Sequence, residues 1–183
     1  MIETPVFPTM FYEMNIDPNL AIDIIAYIKE QEPRIRSISE ASQPHPITDY
    51  ATDFAHPIHI PLFHEHVIPA VEASASSIGY KFQLENYWVS CYTGPAGSHP
   101  MHNHQEKYNG RIMMSAILYL SDIGFTDFFN MSYSADQYMY SVPSKMGKIV
   151  FFPSIVPHQY RAEQYDGNSR YTLPFNGSFI RAD

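Results

Sequence analysis

The sequence predicts an α+β fold dominated by β-structure: a double-stranded β-helix, or jelly roll, with supporting helices toward its N-terminus. Two observations carry this. Helical periodicity and capping signals are confined to the first 80 residues, and from Lys81 onward short β-rich runs follow one another with only turns between them. Several strands without intervening helices point to two packed sheets rather than to a parallel sheet wound with helices.

The helical part comes first. "DPNLAIDIIAYIKEQEP" opens with Asp17 as N-cap and Pro18 at the first helical position, and Leu20, Ile24, Ile25 and Ile28 recur at helical spacing;. Pro33 is expected to stop that helix. "PLFHEHVIPAVEASASSIGY" is a second helical segment ending at Gly79 as C-cap, with Pro69 expected to kink it or divide it into two pieces;. The proline-rich "EASQPHPITDYATDFAHPIHIP" between them has no period and reads as a long ordered loop. "TPVFPTMFYEM" at the start reads as one strand. The β-rich runs are "KFQLENYWVSCY", "RIMMSAILYL", "QYMYSVP", "GKIVFFP", "HQYRAEQY" and "RYTLPFNGSF", separated by turn residues such as "GPAG", "SDIG" and "DGN";. Pro174 in the last run lacks a ladder donor, so a bulge or a sheet edge is expected there. No repeat, low-complexity tract or linker divides the chain. Residues 1–183 are expected to form one domain, with 1–80 as helical support plus N-terminal strand and 81–180 as the β-core;.

Composition narrows the function. Eleven basic residues against 19 acidic ones give a net charge of −8. That disfavours nucleic acid and anionic membrane surfaces, both of which need clustered positive charge. No run approaches the ~18 apolar residues of a membrane span, and the N-terminus lacks the basic and apolar regions of a signal peptide. One cysteine, Cys91, rules out an internal disulfide framework and reads as a small buried hydrophobe;. A cytoplasmic protein is expected. Nothing in the sequence bears on its oligomeric state.

"SHPMHNHQEKYNGR" carries three histidines within 14 positions. In a strand, residues i and i+2 face the same way, so His102 and His104 can direct both imidazoles at one point. His99 has the other parity and precedes Pro100, which makes it a loop residue. His64 and His66 also have the i, i+2 spacing, and His59 lies three residues after His56. They fall on a helix and in the proline-rich loop, where such residues diverge. Further along, "GKIVFFPSIVPHQY" is a strand, a bend marked by prolines, and His158 at the start of another strand. Arg170 and Thr172 follow in "SRYTLPFN" and share one strand face. An arginine facing into a barrel needs an anionic partner, because an unpaired buried guanidinium is costly. Together these residues lay out a metal with a carboxylate-bearing molecule beside it.

In these residues the chain resembles the iron(II)- and 2-oxoglutarate-dependent oxygenases, most closely their prolyl-hydroxylase-like and phage-type branches. The resemblance spans residues 82–180 in order. His158, Arg170 and Thr172 are similar in spacing to the family's distal histidine and its Arg-x-Ser/Thr pair. "CYTG" places Tyr92 ten residues before His102, like the family's tyrosine-x-glycine entry to the iron strand. "SAILYLSD" resembles the strand whose tyrosine joins the arginine at the co-substrate, here Tyr119. "GKIVFFPS" is similar to the strand leading into the distal histidine.

The pattern departs from the family at one ligand. Where the family has an acid two residues after its first histidine, His102 is followed by His104; counting from His104 instead, Glu106 restores His-x-Glu. The spacings from Tyr92 and to Gly110 and Arg111 favour His102 as the first ligand, and several phage-type relatives carry a similar P-x-H-x-H pattern. The resemblance therefore implies His102, His104 and His158 as metal ligands, with Glu106 the rival to His104. It also implies Arg170, Thr172, Tyr119 and Tyr92 as the co-substrate site. The 14 tyrosines make a core or barrel-wall role the ordinary alternative for Tyr92 and Tyr119, and Trp88 is expected in the core.

The implied activity is that of an Fe(II)/2-oxoglutarate-dependent dioxygenase, using O2 to hydroxylate an amino-acid, peptidyl or small-molecule substrate. Two other functions compete. A cupin-like metalloenzyme without 2-oxoglutarate shares the Gly…His-x-His entry, but the expected glutamate and the glycine-rich second motif are missing. A non-catalytic jelly-roll binding module explains the fold but leaves the ordered His…Arg-x-Thr spacing to chance.

Overall fold

The structure is a computed structural model and describes residues 1–6, 9–39, 48–52, 59–92, 101–104, 112–130, 139–161 and 169–182. The N-terminal stretch forms two strands rather than the one expected. β1 (Ile2–Val6) turns back into β2 (Thr9–Asn15) with Val6 opposite Thr9. Helix α1 (Pro18–Ser39) begins as anticipated: the Asp17 carboxylate accepts the Asn19 amide at 2.9 Å. It buries Ala21, Ile24 and Ile28 along one face. It does not stop at Pro33 but runs through it to Ser39. An interior proline removes one amide bond and crowds the preceding turn, and α1 continues past Pro33 in spite of that cost;.

The second helical segment meets Pro69 differently. Phe63–Val67 form a π-helical turn in which the Ile68 amide reaches back five residues to the Phe63 carbonyl, and α2 (Ile68–Ser77) follows without a break. The wider turn makes room for the Pro69 ring where an α-turn would press it against the preceding carbonyls. Gly79, at φ 83°, closes the segment with its amide on the Ser76 carbonyl at 3.1 Å;.

The stretch read as a loop contains β3 (Thr48–Thr52), recruited as an edge strand by β4 (Tyr80–Tyr92); residues 40–47 and 53–58 lie outside the described residues. Then follow β5 (Ile112–Tyr119), β6 (Phe125–Phe129), β7 (Met139–Pro143), β8 (Lys148–Pro153), β9 (His158–Arg161) and β10 (Arg170–Arg181). Of these, β6 had no counterpart in the sequence-based assignment. The strands form two antiparallel sheets, one of seven in the order β1-β2-β8-β5-β10-β4-β3 and one of three in the order β7-β6-β9. From β5 onward the chain passes back and forth between them. No helix among the described residues is long and apolar enough to cross a membrane.

Strand alternation divides the large sheet into two faces. Ala116, Leu118, Ile149, Phe151, Leu173 and Phe175 pack beneath the helices with Ile24, Phe63 and Val71. Ile117, Tyr119, Val150 and Phe152 look the other way, onto Phe128 and Val142 of the small sheet. "IVFF" and "AILYL" are continuous apolar runs because both faces of those strands are covered. Phe128 meets Phe11 and Phe152 edge-to-face, at centroid separations of 5.0 and 4.7 Å;.

Pro174 sits neither at an edge nor in a bulge. β10 lies between β4 and β5; its pairing with β4 passes from Thr172↔Ser90 to Phe175↔Tyr87. The irregularity comes later, between Asn176 and Gly177. A Cβ on Gly177 would fall 2.4 Å from the Phe82 ring, so only glycine permits that approach;.

Candidate functional site

Residues 101–104 lie beside β9, the last strand of the small sheet among the described residues. His102 and His158 exchange both backbone hydrogen bonds, at 3.0 and 2.9 Å, as direct antiparallel partners. His158 in turn pairs with Phe128 of β6 on its other side. Side chains of such partners share a face, and His104, two residues on, shares it as well. The ring centroids of His102 and His158 are 4.3 Å apart, and His104 lies 5.1 and 5.3 Å from them. One nitrogen from each ring lies within 4.8 Å of the others.

Three imidazoles are a donor set suited to iron, nickel, copper or zinc. Metal–nitrogen bonds of ~2.1 Å put neighbouring ligands about 3 Å apart, so small side-chain rotations would close the cluster. Among the described residues this is the one group of three or more side chains able to hold a metal ion. His99 and Glu106 lie outside the described residues.

The bend between β8 and β9 organises this cluster. Three successive carbonyls accept from it: Ser154 takes the His104 amide at 2.8 Å, Ile155 the Asn103 side-chain amide at 3.3 Å, and Val156 the His158 Nδ1 at 3.0 Å. A ring that donates from Nδ1 carries its lone pair on Nε2, so this bond selects the nitrogen His158 offers to a metal. His158 is only 6% exposed and rests on Phe152 and Phe128. Trp88 departs from its expected place in the core. It is only partly buried, and its ring lies 5.5 Å from that of His104.

Arg170 faces the same interior and is 3% exposed. Its Nε donates to the Ile123 carbonyl at 3.1 Å and to Ser144 Oγ at 3.3 Å, and Nη2 reaches Thr126 Oγ1 at 3.5 Å. The guanidinium carbon lies 3.9 Å over the Tyr160 ring and 5.7 Å from that of Tyr119;. Tyr119, fully buried, donates to Thr126 Oγ1 at 2.9 Å. Burial pushes its phenol up to about 12, against the smaller opposing effects of Thr126 and Arg170. Burial likewise raises Tyr160, and Arg170 opposes it. Thr172 is buried as the register partner of both Tyr119 and Ser90, and the backbone of Tyr92 pairs with that of Arg170.

Thr126, Ser144 and Tyr160 were not anticipated. Thr126 belongs to the strand the sequence did not disclose. Tyr160, two residues after His158 and on its face, was visible by parity alone. Asp127, between Thr126 and Phe128, has the opposite parity and accepts from Ser141 at 2.6 Å, so β6 directs no carboxylate at the histidines;. The other histidine pair stays apart from this site. His59 stacks on His64 at 4.5 Å beside the π-turn, and burial, then His59, lowers the His64 pKa.

Comparison with solved structures shows where this architecture recurs. A prolyl-4-hydroxylase from Pseudomonas putida superposes with a TM-score of 0.61 at 21% identity, over 94% of this chain and 93% of that one. The fold is that of the prolyl-hydroxylase-like oxygenases. HygX from Streptomyces hygroscopicus, solved with nickel and 2-oxoglutarate bound, gives 0.59 at 12% identity, over 92% of this chain and 82% of that one. A prolyl hydroxylase in complex with a hypoxia inducible factor oxygen degradation domain peptide fragment from Trichoplax adhaerens gives 0.61 at 13%, over 92% and 83%. No protein-family profile and no curated protein matches the sequence.

Proposed function

We propose that the chain is an iron(II)- and 2-oxoglutarate-dependent dioxygenase that hydroxylates an amino-acid, peptidyl or small-molecule substrate. The single observation that carries this is a register. Thr126 pairs with Tyr160, and both touch Arg170; Phe128 pairs with His158. The arginine row and the histidine row are thus two residues apart on the same strands, or about 7 Å. A five-carbon diacid, with four C–C bonds of about 1.5 Å, spans that step.

The two sheets, with the His102–His104 segment added beside β9, make up the proposed jelly roll. His102, His104 and His158 would hold the metal. Arg170 binds the far carboxylate of 2-oxoglutarate, with the Tyr119 hydroxyl and Thr172 beside it, while Tyr160 fixes the plane of the guanidinium. Tyr92, opposite Arg170 in the register, completes that end. Phe128 and Phe152 keep water from the buried side of His158. The bound metal supplies the redox chemistry that couples decarboxylation of 2-oxoglutarate to succinate with insertion of oxygen into a C–H bond. A buried arginine two residues along the register from the histidines supports this function over a cupin-like metalloenzyme, which needs no such cation.

Anaerobic titration of the iron-loaded protein with 2-oxoglutarate tests it. Binding that requires iron, and slow release of succinate when O2 is admitted, are expected. Iron binding without any affinity for 2-oxoglutarate would remove the co-substrate and leave a metal-binding barrel.

A further inference from the structure

Beneath the histidines a line of buried polar side chains crosses the inner face of the large sheet. Ser154 Oγ lies 3.0 Å from Ser115 Oγ, Ser115 donates to Asn176 Oδ1 at 2.7 Å, and Asn176 Nδ2 donates to Asn86 Oδ1 at 2.9 Å. Ser115, Ser154 and Asn176 are all buried. One orientation of the protons satisfies the line, with Ser154 donating to Ser115 and each group passing one bond to the next. Ser154 is also tied to β5 through its amide, which donates to the Met113 carbonyl at 3.1 Å. From this anchored residue begin the three carbonyls that accept from His104, Asn103 and His158.

We infer that Ser115 and Asn176 are positioning residues. They clamp Ser154, so that the β8–β9 bend presents His104 and His158 in their metal-binding arrangement before any metal arrives. The inference rests on the metal site proposed above, not on 2-oxoglutarate. Its logic is that of outer-shell hydrogen bonds, whose loss costs a metal site about ten- to a hundredfold in affinity although no ligand is touched. Pro153 and Pro157, at the two ends of the bend, restrict its backbone further, and the Val156 amide closes it on the Pro153 carbonyl at 2.9 Å;. The held residue is also where this chain departs from the oxygenase pattern. With His104 in place of a carboxylate, no ligand charge draws the metal in, so fixed geometry carries more of the affinity.

A merely space-filling role for Ser115 and Asn176 would make different demands. The test is amide hydrogen exchange and Co(II) titration of the metal-free protein, comparing wild type with Ser115→Ala and with Ser154→Ala, which cuts the same link from the bend's side. In both variants the His104 amide should lose protection while the central amides of β8 keep theirs, and Co(II) affinity should fall about ten- to a hundredfold. Unchanged His104 protection, or unchanged Co(II) affinity, in a variant whose β8 amides remain protected would overturn the clamp and leave the metal site standing. If one variant fails to fold, the other decides. A wild type that binds no Co(II) would overturn the clamp together with the metal site beneath it.

Discussion

The two faces of the seven-stranded sheet are made by the same strands and do different work. Toward the helices the strands present Leu118, Phe151, Leu173 and Phe175, buried among aliphatic and aromatic side chains. Toward the small sheet they present Ser115, Tyr119, Arg170, Thr172 and Asn176, equally inaccessible but polar. A buried polar group costs free energy unless its hydrogen bonds are met, so these polar residues are held by bonds in specified directions, beside the apolar contacts of Ile117, Val150 and Phe152 on the same face;. The outer face is held by contact area, which has no direction. The difference teaches that alternation along a strand lets one element serve stability and chemistry with little crosstalk. Each face can therefore be damaged separately.

The largest effect is expected from the outer face. Phe151→Ala should destabilise the fold by about 3–5 kcal/mol in urea denaturation, the cost of an aromatic cavity in a close-packed core. The folded fraction should keep its Co(II) affinity; a loss would mean the faces are coupled.

Next is Tyr119, a residue of the inner face whose titration reaches stability. Below pH 10 the Tyr119 phenol is protonated whether the chain is folded or not. As pH rises from 10 toward about 12 only the unfolded chain releases the proton, so stability falls across that window;. The loss attributable to Tyr119 is about 3 kcal/mol. Tyr119→Phe should remove that part of the alkaline sensitivity, seen as a smaller drop in denaturation midpoint between pH 9.5 and ~12 than in wild type. Parallel curves would place the phenol in contact with solvent.

Arg170→Lys keeps the charge but loses the planar fork. It should weaken 2-oxoglutarate binding about ten- to a hundredfold, one or more charge-assisted bonds of ~1.5–3 kcal/mol, while Co(II) affinity stays the same. Equal 2-oxoglutarate affinity in the two proteins would sink the co-substrate role of this end of the barrel. The smallest effect belongs to Thr172→Val, which removes a neutral hydroxyl of similar volume. A two- to tenfold loss of 2-oxoglutarate affinity, from ~0.5–1.5 kcal/mol, is expected in the same titration; no change would assign Thr172 to packing.

Much of this is legible in the sequence, and what is not has identifiable causes. The Asp17 cap, Gly79 and the strands containing Val89, Leu118, Phe151 and Leu173 follow from local chemistry, and local chemistry is written in neighbouring residues. Pro33 does not end α1, because the cost of an interior proline is finite and the rest of a long helix can offset it;. β3 and β6 were missed because a five-residue strand is stabilised mainly by its partners, and those partners are distant in sequence;. Trp88 lies outside the core, and nothing local reveals that a tryptophan borders a histidine 16 positions away.

The sequence by itself determined which residues could share a face, since parity along a strand is fixed by backbone geometry. His102 with His104, and Arg170 with Thr172, needed nothing more. Only the tertiary structure decided what those faces meet. The pairing of His102 with His158, the Tyr160 ring beneath Arg170, and the two-residue step between the arginine and histidine rows are set by sheet register. Register is a relation between distant segments, chosen by the packing of both sheet faces at once, and no local pattern contains it.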